Sequence, residues 1–148
     1  MSGQEFIADA VRLTFEEMAF LDVAPGRAGD EADPGPGPWL FLTYTQPQTG
    51  SLGLFLPKEV KFAVAEGIYG DSWNSLLPGQ LDDSLLELMN VLAGRLLTGR
   101  FGTGSASVMG LPTLLYDPRE TPPGMQCSRF EFHIDEKELT LLWYEVQS

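Results

Sequence analysis

Apolar positions along this chain alternate between two periods. Ile7, Val11, Thr14, Met18 and Leu21 recur at helical spacing, which predicts an amphipathic helix from residue 3 to about 21. From residue 38 the pattern changes to β-branched and aromatic residues around a glycine-containing turn. PWLFLTYTQ, then PQTG, then SLGLFLP reads as a β-hairpin. KEVKFAVAEGIY, residues 58–69, predicts a short helix that GDSWNSLLPG breaks. A leucine-rich helix follows over 81–99, LDDSLLELMNVLAGRLLTG, with Asp82 or Asp83 placed to cap it and GRFGTGSAS to end it. The remainder supplies one short strand, TLLY, and a second hairpin in which QCSRFEFHI and LTLLWYEV flank the turn DEKE. Phe130, Phe132 and Ile134 alternate onto one face of it.

The order helix, two strands, two helices, three strands predicts an α+β domain, an antiparallel sheet with helices packed on one face. Each half runs helix, then hairpin. Laying TFEEMAFLDV over SLLELMNVLA puts Glu17 opposite Glu87 and Phe20 opposite Asn90, an offset of 70 residues. This suggests two pseudo-repeated helix-hairpin halves, although amphipathic helices also align by chance. The 148 residues fit one domain, 1–148, with enough sequence for a hydrophobic core. APGRAGDEADPGPGP, residues 24–38, holds four prolines, four glycines and three acidic residues, and is expected to be a solvated, mobile loop.

Charge narrows the partners. Nine basic residues against 21 acidic ones give a formal net charge of −12. Such a surface repels phosphate backbones and anionic lipid heads, which argues against nucleic-acid or membrane-surface binding and for a partner with a cationic patch. No stretch approaches the roughly 20 apolar residues of a membrane span. The N-terminus MSGQEFIADAV lacks a basic region with a cleavage site, so a cytoplasmic location is expected. The single cysteine, Cys127, cannot form an intramolecular disulfide and is expected to pack as a small hydrophobe in a strand. His133 is also alone, so neither a metal site nor a histidine-based triad is expected. GRFGTGSAS follows a helix and has no GK[ST], unlike a phosphate-cradling loop.

The long helix carries the candidate chemistry. At about 100° per residue, Leu85, Leu86, Leu88, Met89, Leu92, Ala93, Leu96 and Leu97 fill roughly half the circumference. Asp83, Glu87, Asn90, Gly94 and Thr98 share an arc of roughly 80° on the other side. Gly94 costs a helix interior about 0.5–1 kcal/mol relative to alanine, and its missing side chain would let another surface approach one turn beyond Asn90. Periodicity alone favours a merely solvated polar face, since every amphipathic helix has one. Asparagine and glycine are poor helix formers, which tilts the reading toward function.

DSLLELMNVLAG resembles the active helix of the CheC/CheX/FliY chemotaxis phosphatases. The signature there is Asp or Ser, three residues, Glu, two residues, Asn, and a proline downstream. Asp83, Glu87 and Asn90 fit it, and Pro112 in GLPTLL follows Asn90 after 21 residues, about one short of the usual gap. NVLAGRL and GSLGLFLPKEVKFAVAEGIYGD are similar to the family's stretches as well, so the likeness covers most of the chain after residue 38. CheC-like members keep the Glu–Asn pair in both halves and CheX-like members in one. Here Glu17 is followed by Phe20 where asparagine would stand, which is the CheX-like arrangement.

The resemblance implies a hydrolase acting on the aspartyl phosphate of a CheY-like response regulator in two-component signalling. The receiver supplies Mg²⁺, and the phosphatase needs no cofactor or metal of its own. Asn90 would position the attacking water, a task that suits a neutral carboxamide beside phosphoryl oxygens. Glu87 would pair with the receiver's active-site lysine, a contact worth about 1.5–3 kcal/mol once desolvated. Asp83 and Gly94 would contact the partner, Pro112 would shape a strand start, and the chain would pair as a homodimer. Two other readings stay open: a non-catalytic receiver-binding or flagellar-switch adaptor, and an α+β domain in which ExxN is coincidence.

Overall fold

The computed structural model describes residues 5–26, 37–77, 79–102, 108–116 and 124–146. In chain order the elements are α1 (Glu5–Ala19), β1 (Ala24–Pro25), β2 (Trp39–Gln46), β3 (Gly50–Phe55) and α2 (Lys58–Tyr69). A 3₁₀ turn (Gly70–Ser75) leads to α3 (Gln80–Phe101), then β4 (Val108–Met109), β5 (Thr113–Leu115), β6 (Met125–Ile134) and β7 (Lys137–Val146). One antiparallel sheet runs in the order β1-β6-β7-β3-β2, with β4 and β5 pairing in turn along the outer edge of β2. The two hairpins meet through their second strands, from Gly50 opposite Glu145 to Phe55 opposite Thr140.

Strand alternation sorts the core. Leu40, Leu42 and Tyr44 of β2, Leu52 and Leu54 of β3, and Leu139, Leu141 and Trp143 of β7 join the helices in the main core. Their neighbours Trp39, Phe41, Phe55 and Tyr144 turn to the other face and form a smaller buried aromatic cluster. There the Trp39 ring stacks on Phe41 at 5.8 Å and meets Phe55 at 5.1 Å. The central strands are therefore apolar on both faces, while the helices cover one, as the element order predicts. Inside the core the Trp143 indole N–H donates to the Tyr44 hydroxyl at 2.9 Å. Burial pushes the Tyr44 pKa up, partly offset by that hydrogen bond.

Several details differ from the sequence reading. Helix α1 stops at Ala19, because Phe20 takes a left-handed backbone (φ 56°) and stands 78% exposed. Helix α3 starts at Gln80 after Gly79 (φ 85°), so Asp82 and Asp83 do not cap it. They lie in its first turn, where their charge favours the positive end of the helix dipole. Of the expected loop, Ala24 and Pro25 form a strand against His133 and Phe132, and the Gly26 amide donates to the Glu131 carbonyl; residues 27–36 lie outside the described residues. Cys127 is exposed, because its position on β6 is one residue out of phase with the inward-facing Phe130, Phe132 and Ile134.

Candidate functional site

Helix α3 is anchored by its apolar side. Leu85, Leu88, Met89, Leu92, Ala93, Leu96 and Leu97 are fully buried against the sheet and α1. At about 1.5–3 kcal/mol for each fully buried large side chain, this face dominates the helix's attachment. Three polar ties then set its rotation. At the start, the Tyr69 hydroxyl at the end of α2 bonds to Ser84 Oγ and donates to the Gln80 carbonyl at 3.3 Å. In the middle, Arg95 reaches across to α1, at 2.5 Å from Glu17 Oε2 and 3.1 Å from Thr14 Oγ1. At the end, Arg100 Nε donates to Glu145 Oε2 of β7 at 3.1 Å. Both ion pairs are partly exposed, so each contributes less than about 1 kcal/mol; they serve orientation more than stability.

With the helix so held, Asp83, Glu87 and Asn90 are all exposed. Their side chains have no hydrogen-bond or ion-pair partner among the described residues. Gly94 is half-buried, yet a methyl group built on it would meet no atom within 4 Å outside the helix's own backbone. The four residues form one stripe, acidic at the N-terminal end, with a carboxamide less than a turn past the carboxylate and a notch one turn further. Such a surface can pair with a cation and present a neutral donor–acceptor group beside it. Among the described residues no cluster of three or more His, Cys, Asp or Glu could hold a metal, and no helix is long and apolar enough to cross a membrane.

The first half of the chain does not reproduce this stripe. Glu17 is engaged by Arg95, and Phe20 lies beyond the end of α1, whereas Asn90 sits in mid-helix. Pro112 is half-buried between β4 and β5, next to Leu111, which is 89% exposed. The sequence reading named the stripe but missed its supports. Tyr69 and Ser84 are 15 residues apart, and Arg95 and Glu17 are 78 apart, separations that no local pattern records.

No protein-family model matches the chain, and no curated protein matches it. Solved structures do. CheX from Desulfovibrio desulfuricans superposes with a TM-score of 0.76 at 14% identity, over 97% of this chain and 98% of that one. A chain of the CheX–CheY–BeF3–Mg²⁺ complex from Borrelia burgdorferi superposes at 0.70 with 15% identity, over 99% of each chain. The FliM middle domain from Vibrio alginolyticus superposes at 0.64 with 11% identity, over 97% of this chain and 90% of that one. The chain thus has the α+β fold of the CheX and CheC-like chemotaxis proteins.

Proposed function

We propose that this protein is a phosphatase that hydrolyses the aspartyl phosphate of a CheY-like receiver domain. The observation that carries the reading is the pair Glu87 and Asn90, exposed and without a partner among the described residues, on one stripe of a helix whose other side is locked into the core. Glu87 pairs with the receiver's active-site lysine and sets the docking register, while Asp83 and Gly94 line the contact. Asn90 holds a water in line with the phosphorus. A bond forms from the water oxygen to phosphorus, the bond to the aspartyl oxygen breaks, and carboxylate and inorganic phosphate leave. An acyl phosphate is already activated and the receiver brings its own Mg²⁺, so positioning is the main contribution required. On this reading the protein works in the cytoplasm as a homodimer, with one site per chain. The CheX–CheY complex among the superposed structures supports a partner of this class.

A second reading, a non-catalytic receiver-binding or flagellar-switch module, draws support from the shared fold of FliM. One experiment separates the two: decay of phosphorylated receivers with wild type, Asn90→Ala and Glu87→Ala. Wild type accelerates the decay of a cognate receiver. Asn90→Ala folds normally, still binds, and loses about 100-fold or more of the rate, the scale of removing one positioned polar group. Glu87→Ala acts on KM, by roughly tenfold or more. Binding without accelerated decay would select the adaptor, and full activity in Asn90→Ala would overturn the mechanism.

A further inference from the structure

The cations of this acidic chain are distributed unevenly. All four arginines among the described residues are neutralised internally: Arg12 by Asp9 and Glu16, Arg95 by Glu17, Arg100 by Glu145 and Arg129 by Glu131. Lys58 and Lys61, one turn apart on α2, have no carboxylate partner among the described residues. They lie over aromatic rings instead. Lys58 Nζ is 5.8 Å from the Phe62 centroid and Lys61 Nζ is 5.9 Å from that of Tyr116, at the end of β5. The Phe62 ring in turn meets Trp73 of the 3₁₀ turn at 5.7 Å. These rings are not core: Phe62 is 39% exposed, Tyr116 61%, and Trp73 half-buried. Three chain segments thus gather, around the first half of α2, three partly exposed aromatic rings and two ammonium groups that have no carboxylate partner among the described residues, on a different helix from Glu87 and Asn90.

We propose that this surface docks an acidic segment of a partner protein, in which carboxylates flank an apolar side chain. The carboxylates meet Lys58 and Lys61, and the apolar group packs on Phe62, Trp73 and Tyr116. Charge complementarity selects the sign of the partner, since an ammonium group held on an aromatic face keeps its full charge for an incoming anion. The exposed Glu59 beside Lys58 keeps the basic character local, which fits one or two carboxylates and not the continuous charge of a nucleic acid or an anionic membrane.

Trp73 supplies the readout, because Trp39 and Trp143 are buried at 4% and 3% exposure. The probe is the synthetic peptide acetyl-Asp-Asp-Leu-Phe-Asp-Asp-amide, with its lysine-for-aspartate counterpart as control, titrated against the whole protein while tryptophan emission is followed. The acidic peptide gives a saturable blue shift and the basic one none. Lys58→Glu with Lys61→Glu weakens binding at least tenfold, Phe62→Ser does likewise, and the milder Lys58→Gln with Lys61→Gln falls between. Circular dichroism checks that each variant is folded. Absence of a saturable shift, or a shift unchanged by charge reversal, overturns the proposal. So does a shift that grows with protein concentration without peptide, which would make the occupant a second copy of this chain.

Discussion

Helix-weakening residues are informative where nothing in the fold requires them, and Gly94 is such a case. It has an ordinary helical backbone and open space where a side chain would be. Gly94→Ala should therefore raise stability by about 0.5–1 kcal/mol, read by chemical denaturation. In a receiver-decay assay the same variant should be slower than wild type, and Gly94→Leu slower still, because the added atoms occupy the notch beside Asn90. An alanine variant both more stable and fully active would remove close approach as the reason for this glycine. Glu87, Asn90 and Gly94 were legible in the sequence because one helix carries all three and its leucines define the opposite side. Cys127 was misjudged because its residue type was weighed above its phase: the alternation of Phe130, Phe132 and Ile134 already puts position 127 on the solvent side of β6.

Among whole elements, the same chemical change has the opposite sign at Gly67. This glycine lies where α2 crosses the end of α1, and a Cβ there would collide with the carbonyl of Ala19. Gly67→Ala should cost about 1–3 kcal/mol in a denaturation experiment, although alanine is the better helix former, because backbone must move to admit it. A neutral or stabilising effect would mean the two helices are not in contact there. Helix α2 was read from periodicity with the bounds the structure shows, since its charged, apolar and glycine positions agree on them. The end of α1 was not, because Phe20 adopts a left-handed conformation that its residue type disfavours. Strands β1 and β4, two residues each, are too short to carry any alternation; only their pairing partners define them.

For the molecule as a whole, alkaline pH tests the packing on the helix-free side of the sheet. Tyr144 is buried in that cluster, opposite Cys127 in the β6–β7 register. Burial, reinforced by the thiol beside it, pushes its pKa up to about 12. An unfolded tyrosine ionises near pH 10, about the ordinary value, while the folded one resists. Its contribution to stability is therefore complete below about pH 10 and is lost as pH rises toward about 12. Thermal melts across that range should show a falling midpoint, and Tyr144→Phe should make the fall shallower. An unchanged slope would show that the hydroxyl is hydrated.

The ion pair between Arg95 and Glu17 has a consequence for stoichiometry. Because Glu17 of the first helix is paired with Arg95 of the second, and the first helix ends before position 20, the stripe of Glu87 and Asn90 has no counterpart on α1. On the proposed function, occupancy by a receiver then saturates at one equivalent per chain. Placing asparagine at position 20 would not add a second: the carboxylate it would need is already the brace that aims the first.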